Sequence, residues 1–171
     1  VGDLAGTHVT NVSILLEGTL GSSVGDGQSD GVTVNATQGD DVVTISSTAG
    51  VIDVTGLAAR TSIGQSEATD VLTVNALGGN DVIDATDFNE LNLARLVANG
   101  GLGGDVFLGS GRADTFVGGD GDDTGLLGAG DDTATWAPGD DNDLVEGQAG
   151  FDTLDFLGNG AAEAIDISAN G

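Results

Sequence analysis

The sequence contains no cysteine and no lysine, and only one proline, one tryptophan and one histidine. Without cysteine there is no disulfide framework, no thiolate nucleophile and no sulfur ligand for zinc. His8 stands alone near the chain start, which gives a Ser-His-Asp triad little to build on. A single proline, Pro138, rules out a collagen-like or proline-rich explanation for any glycine excess. The basic residues are Arg60, Arg95 and Arg112, against 28 acids, for a formal charge of -25. Nucleic acids and anionic membrane surfaces would be repelled, because binding them takes clustered Lys or Arg. No apolar run approaches the ~20 residues of a spanning helix. The segment "VTNVSILLEG" lacks the basic start and cleavage site of a signal peptide. The pattern is already under way where the sequence starts and stops, so a piece of a longer protein is expected.

Glycine is abundant, at 31 of 171 residues, more than twice the roughly 7% of average proteins. High charge with few aromatics usually indicates disorder. Here 39% of residues are hydrophobic, many of them β-branched, and the acids are spaced rather than run together. A chain of this kind calls for a cation to relieve its self-repulsion.

The acids are periodic. Asp105, Asp114, Asp123 and Asp132 follow at steps of nine; a step of eleven reaches Asp143 and another nine reaches Asp152. The units read "GGLGGDVFL", "GSGRADTFV", "GGDGDDTGL" and "LGAGDDTAT", then "GQAGFDTLD". Their common form is G-G-x-G-x-D-x-U-x, with U apolar. Residues 100–155 thus resemble the RTX, or haemolysin-type, calcium-binding nonapeptide repeat. A diluted copy precedes them: "DGVTVNATQGDDVV" at 30–43 aligns with "DVLTVNALGGNDVI" at 70–83, 40 residues on. Midway between Asp41 and Asp81 the mark falls on Thr61, so an offset of 40 is expected to be two coils of 20.

The resemblance implies an all-β protein, a right-handed parallel β-roll or β-solenoid with 18–20 residues per coil. The 171 residues are expected to form one solenoid, degenerate over 1–99, well formed over 100–155, with a terminal strand over 156–171. Each unit is a glycine-rich turn and a short strand, whose alternate residues point inward. Counting two from each mark places Val43, Ile63, Leu72, Ile83, Phe107, Phe116, Val145 and Leu154 in the core. Gly125 and Ala134 break that rule, so their strands are expected to run on and fill the core from Leu127 and Trp136, as Val74 does after Asp70.

Units 18 or 20 apart should stack, pairing Asp105 with Asp123, Asp114 with Asp132, Asp123 with Asp143 and Asp132 with Asp152. Stacked carboxylates about 4.8 Å apart repel unless a cation intervenes. Calcium takes 6–8 oxygen ligands, carboxylate or carbonyl, and tolerates irregular geometry; magnesium demands a strict octahedron. The expected ligands are Asp105, Asp114, Asp123, Asp132, Asp143 and Asp152. Turn glycines join them: Gly101, Gly103, Gly109, Gly111, Gly119, Gly121, Gly128, Gly130 and Gly150. Asp41 and Asp81 are weaker candidates, in turns poorer in glycine.

A thin core and stacked acids imply that folding and calcium binding are one event. The resemblance further implies export of an unfolded chain and folding outside the cell. The expected function is therefore a calcium-binding structural module of a secreted or cell-surface bacterial protein, not an enzyme. Further domains or neighbouring copies could meet the solenoid ends. A polysaccharide-acting enzyme on a parallel β-helix is the alternative, disfavoured because three scattered arginines cannot neutralise a uronate. A surface- or ice-binding solenoid is another, suggested by the two "TVN" copies, but a recurrence every two coils would leave gaps in the array. Thr33 and Thr73 are then outward strand residues.

Overall fold

The structure, a computed structural model, describes residues 1–90 and 93–160. Among the described residues there is no helix, and the strands lie in two sheets. The first sheet contains β1 (Asn11–Leu15), β3 (Val42–Thr48), β4 (Val51–Thr55), β5 (Arg60–Gly64), β7 (Val82–Asp87), β9 (Val106–Leu108), β11 (Thr124–Leu126) and β13 (Leu144–Glu146). Their order across the sheet is β1-β5-β4-β3-β7-β9-β11-β13. The second contains β2 (Gly31–Asn35), β6 (Val71–Gly78), β8 (Arg95–Leu102), β10 (Asp114–Asp120), β12 (Thr133–Trp136) and β14 (Thr153–Phe156), adjacent in that order.

From β8 onward the chain crosses between sheets at every turn, and each strand pairs in parallel with the strand two before it. Alternation explains the choice of face. In β6, "VLTVNALG", Leu72, Val74 and Ala76 are buried while Val71, Thr73 and Asn75 look outward. Outward asparagines form a ladder: Asn75 donates to Asn35 and Asn99 donates to Asn75, each at 2.7 Å.

The inner faces of the two sheets meet in one hydrophobic core. Phe107 in β9 stacks on Phe116 in β10, with ring centroids 5.3 Å apart. Gly125 is small because a Cβ there would lie 2.8 Å from the Phe116 ring. The core tapers. β6 buries Leu72, Val74 and Ala76, β9 buries Phe107 alone, and at the far end Val145 is only partly buried and Leu154 is 46% exposed. Leu154 therefore departs from its expected place, because β14 has no strand beyond it among the described residues. Leu127 is buried as expected, but just past the end of β11 rather than in a longer strand. Trp136 is half-buried; it stacks on Phe156 at 4.4 Å and its indole N–H donates to the Asp140 carbonyl.

The spacing of 18 or 20 holds for the later strands: Leu96 faces Asp114, Thr115 faces Thr133, and Thr133 faces Thr153. Earlier strands differ. β6 and β8 are offset by 24, Val71 facing Arg95, because an inserted segment buries Phe88 and Leu93. The offset of 40 is one step across the sheet, not two: Gly31 faces Val71 directly, and Val42 faces Val82. The extra residues make β4 and β5, which extend the first sheet in antiparallel fashion. Thr61 lies buried in β5 and stacks in no series of turns. The cause is local. Ala49 and Gly50 both have positive φ, 53° and 78°, and connect Thr48 to Val51 as a two-residue hairpin loop of the type that reverses a strand on itself. β14 ends at Phe156, and most of the terminal strand expected over 156–171 lies outside the described residues, which stop at 160.

Candidate functional site

Parallel pairing at fixed register stacks the turns at two edges. On one edge, where the chain passes from the second sheet to the first, an aspartate immediately precedes β3, β7, β9 and β11 and a further one precedes β13. These five form a continuous ladder. The Asp41 N–H donates to an Asp81 carboxylate oxygen at 2.6 Å, Asp81 to Asp105 at 2.8 Å, Asp105 to Asp123 at 2.7 Å and Asp123 to Asp143 at 3.0 Å. On the other edge Asp114 donates to Asp132 at 2.8 Å and Asp132 to Asp152 at 3.1 Å. All four pairs expected from the spacing are present. Asp81 belongs to the same row, which its spacing of 24 from Asp105 hid from a search at nine and eleven.

The turns bring the glycines to these edges. Gly101, Gly103, Gly119 and Gly121 lie in or beside the first stack; Gly109, Gly111, Gly128, Gly130 and Gly150 lie in the second. Two of the glycines lining the turns show why no side chain fits. Gly121 has φ 138°, and a Cβ on it would lie 2.3 Å from the Gly103 carbonyl oxygen of the preceding turn. At Gly118 a Cβ would lie 2.2 Å from Asp123 Oδ2. Carboxylate and turn backbone are therefore in close approach. Neighbouring side chains tie the stack further, as where Asn80 Oδ1 accepts the Gly104 N–H at 2.9 Å.

In Asp81, Asp105, Asp123 and Asp132 one oxygen, Oδ1, accepts the amide of the preceding turn in the row. The second, Oδ2, is buried without any hydrogen-bond partner in Asp81, Asp105, Asp123 and Asp132. These four residues are at most 3% exposed. A buried charged oxygen without a partner is costly. Accordingly, burial pushes the carboxyls of Asp81, Asp105, Asp114, Asp123, Asp132 and Asp143 above the usual range, Asp105 to about 7 and Asp114 and Asp143 to about 6. Neighbouring carboxylates add to the effect, Asp123 and Asp81 acting on Asp105.

Other turns close on themselves. Asp41 Oδ2 accepts the Thr37 N–H at 2.8 Å and its hydroxyl at 2.7 Å. Asp114 accepts the Ser110 N–H at 2.7 Å on one oxygen and the Ser110 hydroxyl at 3.1 Å on the other. Asp70 accepts from the amides of Asp30 and Glu67. Thr37 and Ser110 escaped the search for acids and glycines, although each stands four residues before its aspartate.

Among the described residues the ion pair is Arg60 with Asp53, on the outer face of β4 and β5. No group of three or more acidic, histidine or cysteine side chains converges on one point there. A cation at these edges would thus rely on one or two carboxylates and on turn carbonyls. That donor set is entirely oxygen and suits a hard ion. Comparison with protein-family models, with curated proteins and with solved structures finds no match for the chain.

Proposed function

We propose that this chain is a calcium-binding structural module of a secreted or cell-surface bacterial protein. In this reading it winds as a right-handed parallel β-roll of the haemolysin-type repeat class, the handedness that parallel crossovers adopt. One observation carries the proposal: four stacked aspartates each hold a buried Oδ2 with no donor. With a net charge of -25 and no lysine, the chain has little cationic material of its own to supply there. A divalent ion between successive turns would pair those oxygens and draw further ligands from turn carbonyls. Because the core tapers toward the carboxyl end, ion binding contributes most of the order there. The chain would cross a calcium-poor compartment unfolded and acquire its strands outside.

The test is circular dichroism during a calcium titration of the metal-stripped chain at neutral pH, followed by chelation, with magnesium as control. Strand signal is expected to rise with calcium, to vanish on chelation and to respond weakly to magnesium. A spectrum indifferent to calcium removes the proposal.

A second reading, binding to a flat ordered surface such as ice, is favoured by one specific feature. Because the offset of 40 is a single step, Thr33, Thr73, Val97, Thr115, Thr133 and Thr153 stand in register across the outer face of the second sheet. The column therefore carries threonine at five of six rungs, and the gap expected between its two amino-terminal copies does not exist.

A further inference from the structure

The buried aspartates, together with the half-buried Asp41, fall into two kinds, and the residue four before each one separates them. Where Oδ2 is orphaned, that residue is Leu77, Gly101, Gly119 or Gly128, and its φ is positive: 81°, 117°, 105° and 98°. The peptide there is turned over, and no amide of the turn reaches the carboxylate. Where the carboxylate is closed, as in Asp41, Asp70 and Asp114, that residue is Thr37, Ser66 or Ser110, none of which has positive φ, and the closing amide is that of Thr37, Glu67 or Ser110. A hydroxyl residue also offers a second donor, as Thr37 and Ser110 do.

The Ser110 turn has a second peculiarity. Arg112 occupies the position beneath Gly130, whose Cβ would meet the Arg112 carbonyl carbon at 2.4 Å, and Gly150 stacks on Gly130 in turn. The Arg112 guanidinium reaches back to the preceding level of the fold. It donates to the Leu93 carbonyl at 2.7 Å and the Ala94 carbonyl at 3.1 Å, and lies over the Phe88 ring at 5.3 Å. A calcium ion would use turn carbonyl oxygens, and the two carbonyls that Arg112 reaches are already held by a side-chain cation.

We infer that the residue four before each of these aspartates decides whether its turn takes a cation, and that Ser110 together with Arg112 makes the Asp114 turn self-sufficient. The inference rests on the calcium reading above and sharpens it. Ions bind at the open turns of Asp81, Asp105, Asp123 and Asp132, whereas Asp41 and Asp114 fold without one. Asp114 thus ends its row as a structural partner of Asp132: its amide caps the Asp132 carboxylate, and its own carboxylate is satisfied by Ser110. The row on the other edge continues instead to Asp81, outside the run of nonapeptides.

Isothermal titration of the full chain with calcium chloride counts the ions. Asp114→Asn is expected to keep the wild-type stoichiometry, and Asp132→Asn to lose one ion per chain. Loss of an ion in Asp114→Asn, or none in Asp132→Asn, overturns the inference while leaving the calcium reading intact. Should Asp114→Asn fail to fold, the double variant Ser110→Gly/Arg112→Gly decides: opening that turn is expected to add one ion, and an unchanged count overturns the inference. A wild-type chain that binds no calcium at all overturns the calcium reading and this inference with it.

Discussion

Removing metal should give this protein an unusual pH dependence. The carboxyls of Asp81, Asp105, Asp114, Asp123, Asp132 and Asp143 are held above their ordinary value of 3.8, Asp105 at about 7 and Asp114 at about 6, chiefly because they are buried. A raised carboxyl pKa means that the folded chain binds the proton more tightly than the unfolded chain does. Stability is then greatest below the unfolded value and falls as pH rises toward the folded value. Each pH unit spent in that window costs ~1.4 kcal/mol per group. Between about pH 5 and pH 7, Asp105 accounts for about 2 kcal/mol and Asp114 for about 1 kcal/mol. Asp81, Asp123 and Asp132 act in the same direction. Against a typical stability of roughly 5–15 kcal/mol, such a loss unfolds the weakest part of the chain. Strand circular dichroism and urea midpoints of the metal-stripped protein should therefore decline from about pH 5 to about pH 7.5 and recover on acidification. Calcium at the upper pH should restore the signal, since an ion does the work of the protons. Metal-free stability that holds level or rises across this interval would refute the argument, by showing that the buried oxygens have partners in solution.

Two other outcomes follow from packing and register. Phe116→Ala removes a buried ring stacked on Phe107 and standing over Gly125, and should lower stability by about 3–5 kcal/mol in calcium-saturated urea melts; Leu154→Ala, at a side chain 46% exposed, should change it by less than about 1 kcal/mol. Ice-crystal microscopy should show faceting that disappears in a Thr115→Tyr/Thr133→Tyr variant if the threonine column binds an ordered surface; round, unshaped crystals with the unaltered protein would dispose of that second reading.

Much of the carboxyl-terminal arrangement was legible from spacing. Steps of nine and eleven fix which aspartates share a turn position, and parallel pairing at 18 and 20 leaves no other register in which the apolar residues at Phe107 and Phe116 face inward. Asp105 with Asp123 and Asp132 with Asp152 could be paired on that basis alone. The amino-terminal half resisted because its deciding signal was two residues long: Ala49 and Gly50 reverse the strand, so 40 residues make one step and Thr61 never enters the stack.

What the residues by themselves determined is the alternation of glycine turns with short apolar strands and the negative charge repeated at each turn, because both are local consequences of residue order. Only the tertiary structure decided which carboxylate oxygens are left without a donor. That depends on the sign of φ four residues earlier and on the close approach of the neighbouring turn, and both are set by how one level of the sheet rests upon the next.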